Sequence, residues 1–382
     1  MSTDVFRDRI YDLPPGPSEP MLKRTWSTDN PAEFAMIMFT IQRFCEERAN
    51  FWILHEKETI EFSPAPSESR PVMTEGLAIF TLRDQQFCIE SADGMRSRSV
   101  TLRSDKRAEW FFEELAKELR EKNPWRGQLL ELTVKDGHIS AAPRAPHSET
   151  LDTVVMASEM RNDIRENTVD RLRFGLGSGA ILHGPPGSGK SITCRSLLNE
   201  AVAAGFTAAY ACGRLDFDEF AVLRRKYFGE LFLVLEDVEM YAEDRVNGIK
   251  SYFSDFLQFT SGIEESAHPM VVVVTTNHLH LLDRAIRNRP VRFNRKWHFG
   301  VPDTDTIEQL LAAFLPKGVP LRETAAVCLE RGFNGAHIRE VRDTAAIICK
   351  KRGVPAPEAV REAIDIVARH FPTDHGPAGF MS

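Results

Sequence analysis

Residues 179–191 read GAILHGPPGSGKS, and the fold turns on them. An apolar run leads straight into Gly184-Pro185-Pro186-Gly187-Ser188-Gly189-Lys190-Ser191, which satisfies the spacing G-x-x-x-x-G-K-[ST]. Glycines let the backbone curl tightly, so that successive N–H groups point inward at an anion. Helical sequence follows, and a helix N-terminus adds positive partial charge at the same point. The expectation is strand, phosphate-binding loop, helix. Lys190 reaches the β- and γ-phosphates of a nucleotide and Ser191 ligates magnesium. The implied cofactors are ATP and Mg2+, faced by the set from Gly184 through Ile192.

Three stretches downstream fit the same chemistry. LFLVLEDVEM, residues 231–240, is a buried strand that ends in Glu236 and Asp237. One acid there can hold the metal through water, and the second can orient or deprotonate an attacking water. VVVVTTN, residues 271–277, is a third buried strand ending in Asn277, whose amide can stand beside the γ-phosphate and the water. This strand should lie between the other two. RNRPVRFNRKW, residues 287–297, is a dense basic loop. It is either a solvated charged surface, or Arg289 or Arg292 reaches the γ-phosphate of a neighbouring subunit, where an arginine in trans accelerates turnover by roughly 10³–10⁵.

The wider chain sorts by texture. Apolar strands at 179–183, 207–212, 231–236, 270–276 and 296–300 alternate with helical sequence, the signature of an α/β fold with a parallel sheet covered by helices. Residues 1–30 read as a flexible arm. Residues 31–145 read as a mixed α+β domain for client recognition or assembly. It has helices at 31–53 and 106–122, a loop at SPAPSESRP (63–71), strand-like runs between, and a hairpin turning at Asp136-Gly137. In the second helix Trp110, Phe111, Leu115 and Leu119 are expected on one face. A linker at 141–150 leads into a nucleotide core, 146–302, a helical lid, 303–371, and a tail, 372–382.

With 382 residues, 42% of them hydrophobic and 27% charged, a globular protein of two or three domains is expected. A net charge of −7 argues against nucleic-acid binding by bulk charge, although RSRSVTLRSDKR (96–107) and LRRKYFG (223–229) offer local basic surface. Six cysteines are scattered without metal-ligand spacing, which fits a reducing cytoplasm. No export signal is read, and the apolar run at 34–40 is too short to span a bilayer.

Taken in order, GPPGSGKS, LVLEDVE, TTN…LDRAIRNRPVRFNRK and GFNGAHIREV resemble the AAA family of P-loop ATPases over about 155–370. The resemblance implies an α/β nucleotide domain, a helical lid and a ring of subunits. By position it makes Glu236 the metal-side acid, Asp237 the catalytic one, Asn277 the sensor-1 residue and Arg289 and Arg292 the arginine fingers. Gly335 and Ala336 become the lid contact near the nucleotide, with His337 where other branches place a sensor-2 arginine. LEDVE, SDFLQFTSG and TTNHLHLLD look like the Bcs-type branch, typified by the mitochondrial Rieske-protein translocase. That group shares the Glu-Asp order and a short segment like the one here between Gly213 and Glu230. It carries a membrane helix near its N-terminus and none is read here, so its particular substrate is not carried over. The expected function is a hexameric or heptameric ATPase remodelling or translocating a protein client. The alternatives are a nucleic-acid-associated ATPase, as in phage or mobile elements, and a slow ATP-gated scaffold.

Overall fold

The computed structural model describes residues 22–94, 97–104, 108–211, 213–242, 256, 259, 268–281 and 293–371. The strands are β1 (Leu22–Thr28), β2 (Asn50–Ala65), β3 (Glu68–Leu82), β4 (Gln85–Asp93), β5 (Arg98–Ser104), β6 (Leu129–Lys135), β7 (His138–Arg144), β8 (Ser178–His183), β9 (Thr207–Ala211), β10 (Leu231–Leu235), β11 (Met270–Thr276) and β12 (Arg295–His298). The helices are α1 (Pro31–Arg48), α2 (Glu109–Glu121), α3 (Ser158–Glu166), α4 (Val169–Arg173), α5 (Lys190–Ala203), α6 (Phe217–Leu223), α7 (Glu239–Ala242), α8 (Thr304–Phe314), α9 (Leu321–Glu330), α10 (Gly335–Arg352) and α11 (Ala356–His370). The chain divides into two compact units, 1–145 with 205–231, and 146–204 with 232–382.

The first unit contains an antiparallel sheet in the order β1-β5-β4-β3-β2 and the strands β9-β6-β7. Helix α1 starts cleanly because Asn30 accepts from the N–H groups of Ala32 and Glu33, with Pro31 in the first turn. It is buried on nearly every side from Phe34 to Cys45, as a helix inside a core must be. In α2 the buried face is Phe111, Phe112, Leu115 and Leu119. Trp110, expected on that face, sits at its flank with the Arg83 guanidinium 4.0 Å from its ring centre. Phe80, Phe87 and Phe111 form the aromatic centre, at ring separations of 4.8 Å and 4.4 Å along the series.

Two expectations for this region need correction. Leu22–Thr28, read as part of a flexible arm, is a strand paired antiparallel with β5 over its whole length. Residues 63–71, read as a loop, are the ends of β2 and β3 and their turn. The hairpin turn of β6 and β7 lies at Asp136-Gly137 as expected, with both φ angles positive at 51° and 83°.

Residues 205–231 belong to this unit through specific polar contacts. Tyr227 donates its hydroxyl to Glu33 Oε1 at 2.6 Å, and Lys226 Nζ reaches the same oxygen at 3.0 Å. Glu219 accepts from Asn30 Nδ2 at 2.8 Å and from the Ile139 N–H at 2.9 Å. Within the run LRRKYFG, Arg224, Tyr227 and Phe228 are buried, while Arg225 and Lys226 are exposed.

In the second unit the strand order is β12-β8-β11-β10, and β8 is parallel to both its neighbours. Every residue of β10 and β11 is buried, which explains their unbroken apolar sequence. Strand β11 lies between β8 and β10, as the sequence requires of its motif. Helices α8 to α11 enclose their own core around Ile307, Leu311, Phe333, Ile338, Val341 and Ile364. No helix among the described residues is long and apolar enough to cross a membrane.

Candidate functional site

The loop between β8 and α5 is fixed at its entry. The Phe299 N–H donates to His183 O at 2.7 Å, and the Gly184 N–H donates to Thr276 O at 3.3 Å. A Cβ on Gly184 would run into the carbonyl oxygen of Phe299. Lys190 is 6% exposed, and its ammonium donates to Gly184 O at 2.7 Å, Pro185 O at 2.9 Å and Asn277 Oδ1 at 2.9 Å. Burial holds this ammonium below the ordinary lysine range, opposed by the carboxylates of Asp237, Glu239 and Glu236. Ser188 Oγ is buried and has no hydrogen-bond partner among the described residues. Ser191, at the start of α5, is exposed and Ile192 is half-buried.

The end of β10 turns sharply. Asp237 has φ of 51°, and its N–H donates to Thr275 Oγ1 at 3.0 Å while the next N–H, of Val238, donates to Thr275 O at 3.0 Å. The turn leaves Glu236 half-buried and Asp237 exposed. Asn277 joins the elements: besides accepting from Lys190, its Nδ2 donates to Asp237 Oδ1 at 3.3 Å. Glu239, which the sequence reading did not assign, accepts at Oε1 from the Asn277 N–H at 3.1 Å and from Asn277 Nδ2 at 3.4 Å. Its only signal in the sequence is a third acid in LEDVE, and only the pairing of strands carries it to Asn277.

The lid meets the loop directly. Asn334 caps α10 by accepting from the N–H groups of Ala336 and His337, and its Nδ2 donates to Pro186 O at 2.9 Å. A Cβ on Gly187 would lie 2.8 Å from Asn334 Oδ1 and 2.9 Å from the Ala336 methyl, so this glycine makes room for the cap. One on Gly335 would stand 3.4 Å from Gly187 O. Asn334 was also missed in sequence, although Asn-Gly-Ala-His has the form of a helix cap. His337 lies flat on Phe333 with ring centres 5.1 Å apart, and burial depresses its pKa. His183 and His298 approach at 3.3 Å between Nδ1 atoms; burial first, then His298, Lys296 and Lys190, lower the His183 pKa.

The structure thus brings together the loop, Lys190, Asp237, Asn277, Gly335 and Ala336. Arg289 and Arg292 lie outside the described residues. Among the described residues no three His, Cys, Asp or Glu side chains form a metal cluster. A magnesium ion needs none, since it is held by one or two protein oxygens together with phosphates. The orphaned Ser188 hydroxyl, the crowded glycines and the buried ammonium fit a polyphosphate.

Residues 180–301 match the family described as "ATPase family associated with various cellular activities (AAA)". The chain is 27% identical over 226 residues to Tat-binding homolog 7 of Caenorhabditis elegans, covering 53% of this chain and 17% of that one. It is 27% identical over 223 residues to the cell division cycle protein 48 homolog of Archaeoglobus fulgidus, covering 51% of this chain and 27% of the relative. A solved structure concerned with katanin self-assembly superposes with a TM-score of 0.46 at 20% identity, over 60% of this chain and 87% of that chain. The matched segment, from the middle of β8 to just beyond β12, is similar to the ATPase domain of the AAA family.

Proposed function

We propose that this chain hydrolyses ATP and uses the cycle to remodel or translocate a protein client within a ring of its own copies. The observation that carries the reading is Asn277, which hydrogen-bonds to Lys190 on one side and to Asp237 on the other. Three elements distant in sequence thereby meet where a terminal phosphate and its attacking water would be held. Bound MgATP supplies an activated phosphoanhydride and a cation that neutralises charge on its oxygens. The protein does the rest. The loop from Gly184 to Ser191 cradles phosphate, Ser191 and Glu236 hold the cation side, Asp237 takes the proton of the water, and Asn277 orients that water. Gly335 and Ala336 bring the lid against the loop.

Arg289 and Arg292 complete the site of a neighbouring subunit in a hexamer or heptamer. The narrower likeness to the Bcs-type branch rests on LEDVE and on the short segment before it. In support, residues 213–230 are engaged with the first unit through Glu219, Lys226 and Tyr227 rather than extended as a threading loop. The first unit and its client are then the specific part of the machine; its module is 31–145 with 205–231 added, and the rest of 146–302 with 303–371 forms the nucleotide module. A nucleic-acid role is less favoured. Arg98 bridges Asp93 at 2.8 Å, Arg103 bridges Glu90 at 2.6 Å, and in the run at 223–229 Arg224 is buried and Lys226 bridges Glu33 at 3.0 Å.

The test is ATPase rate against protein concentration. A ring predicts a specific activity that rises steeply with concentration, and a flat, near-zero rate would falsify the motor in favour of a slow switch. Mixing inactive Arg289→Ala with inactive Lys190→Ala protein should restore part of the activity, since each supplies what the other lacks.

A further inference from the structure

We infer that Glu239 is a positioning residue that fixes which way the Asn277 carboxamide faces. The catalytic side of this inference rests on the ATPase reading above; the orientation itself does not. A carboxamide has two ends of nearly equal size, one accepting and one donating, and its neighbours decide which end goes where. Lys190 Nζ, 2.9 Å from Oδ1, has only protons to offer. On the other side Nδ2 meets two carboxylates, Asp237 at 3.3 Å and Glu239 at 3.4 Å. Carboxylates are acceptors only, so the two sides agree on a single orientation.

The two acids are not equivalent partners. Asp237 is exposed, and water competes for its oxygens. Glu239 is half-buried, and the same Oε1 also accepts the backbone N–H of Asn277 at 3.1 Å. Its second oxygen, Oε2, is buried without a partner among the described residues. The recorded hydrogen bonds of this carboxylate are therefore all spent on Asn277, gripping its main chain and side chain together. A flipped amide would set Nδ2 against the Lys190 ammonium and Oδ1 against two carboxylates. Glu239 makes that state costly while leaving Asp237 free to serve water.

The replacement that removes the grip at constant size is Glu239→Gln, because a glutamine can turn either a donor or an acceptor toward Asn277. In the full chain it should lower kcat by about 10–100-fold, the loss typical when a group that orients a functional side chain is removed. KM and nucleotide affinity should stay within about twofold. On an Asn277→Ala background the same change should alter kcat by no more than about twofold, because its target is gone. An unchanged kcat in Glu239→Gln, or a loss that multiplies with that of Asn277→Ala, overturns the proposal.

A second measurement does not depend on turnover. Asn277→Asp puts a carboxylate against Glu239 as well as against Lys190, and Glu239→Gln removes only the repulsive neighbour, so adding Glu239→Gln should raise the melting temperature of Asn277→Asp while lowering that of the wild-type chain. If Glu239→Gln gives no recovery in Asn277→Asp, the positioning role fails. If the melting pattern holds while the wild-type chain shows no hydrolysis, the ATPase reading fails and the orientation by Glu239 stands.

Discussion

At residue 237 the order Glu-Asp acquires a backbone reason. The second acid sits at φ of 51°, a left-handed conformation in which aspartate is tolerated far better than longer side chains. A glutamate there would carry steric strain, so the reversed order suits this turn. Asp237→Glu should therefore destabilise the chain by up to about 1 kcal/mol, measurable by denaturant titration, as well as displacing the carboxylate from its water. Gly184 has the opposite sensitivity: its φ is 150° and Phe299 O occupies the space of a side chain. Gly184→Ala should cost about 1–3 kcal/mol and weaken nucleotide binding at the same time. The loop was fully legible in sequence because its chemistry is local, eight residues in a row. Glu239 and Asn334 were not. Each is an ordinary residue for its own turn, and its partner lies 38 residues away in one case and 148 in the other.

Among the elements, the β2–β3 hairpin shows how proline misleads. SPAPSESRP lacks several backbone donors and so reads as a loop. Yet β2 is an edge strand, and β3 pairs with β4 only from Gly76 onward, so Pro64 and Pro71 stand where one side of the ladder is open. The hairpin is held by other means: Phe62 against Phe39 at 5.2 Å, and the Met73 N–H on Gln42 Oε1 at 3.2 Å. The strands of the second unit were legible as apolar runs, and the place of β11 between β8 and β10 from its motif, whereas the β1–β5 pairing joins residues some 75 apart and leaves no local trace. Helix α10 carries a test of its own. Asn334→Ala removes the cap and should cost about 0.5–2 kcal/mol; Asn334→Ser should retain most of that stability, since serine caps well, while losing the bond to Pro186. The lid is also sensitive to acid. His337 and His183 have folded pKa values below the ordinary imidazole value, so the unfolded chain takes up protons first. Their contribution is fully present above about pH 6.5 and is lost as pH falls below it. Melting temperatures measured from pH 8 to 5.5 should be flat and then decline, and His337→Gln should flatten part of that decline.

For the molecule as a whole, the polar contacts of Glu33, Asn30 and Asn123 with residues 219–227 carry the most weight. Asn123 Nδ2 donates to Tyr227 O at 3.0 Å, so the main chain as well as the side chains of that segment is bound to the first unit. The chain passes from one unit to the other at 145, at 204 and again at 231. A fragment of residues 146–382 would retain every residue of the nucleotide site but would carry 205–231 stripped of its partners, with Tyr227 and Phe228 bared. Such a fragment should aggregate or melt well below the full chain in a thermal scan. A clean, monomeric, fully stable fragment would contradict the stitching. Evolution inherits the same constraint. With three crossings, the first unit cannot be exchanged as a cassette at a single joint, so any new property of that unit must be carved into its surface in place.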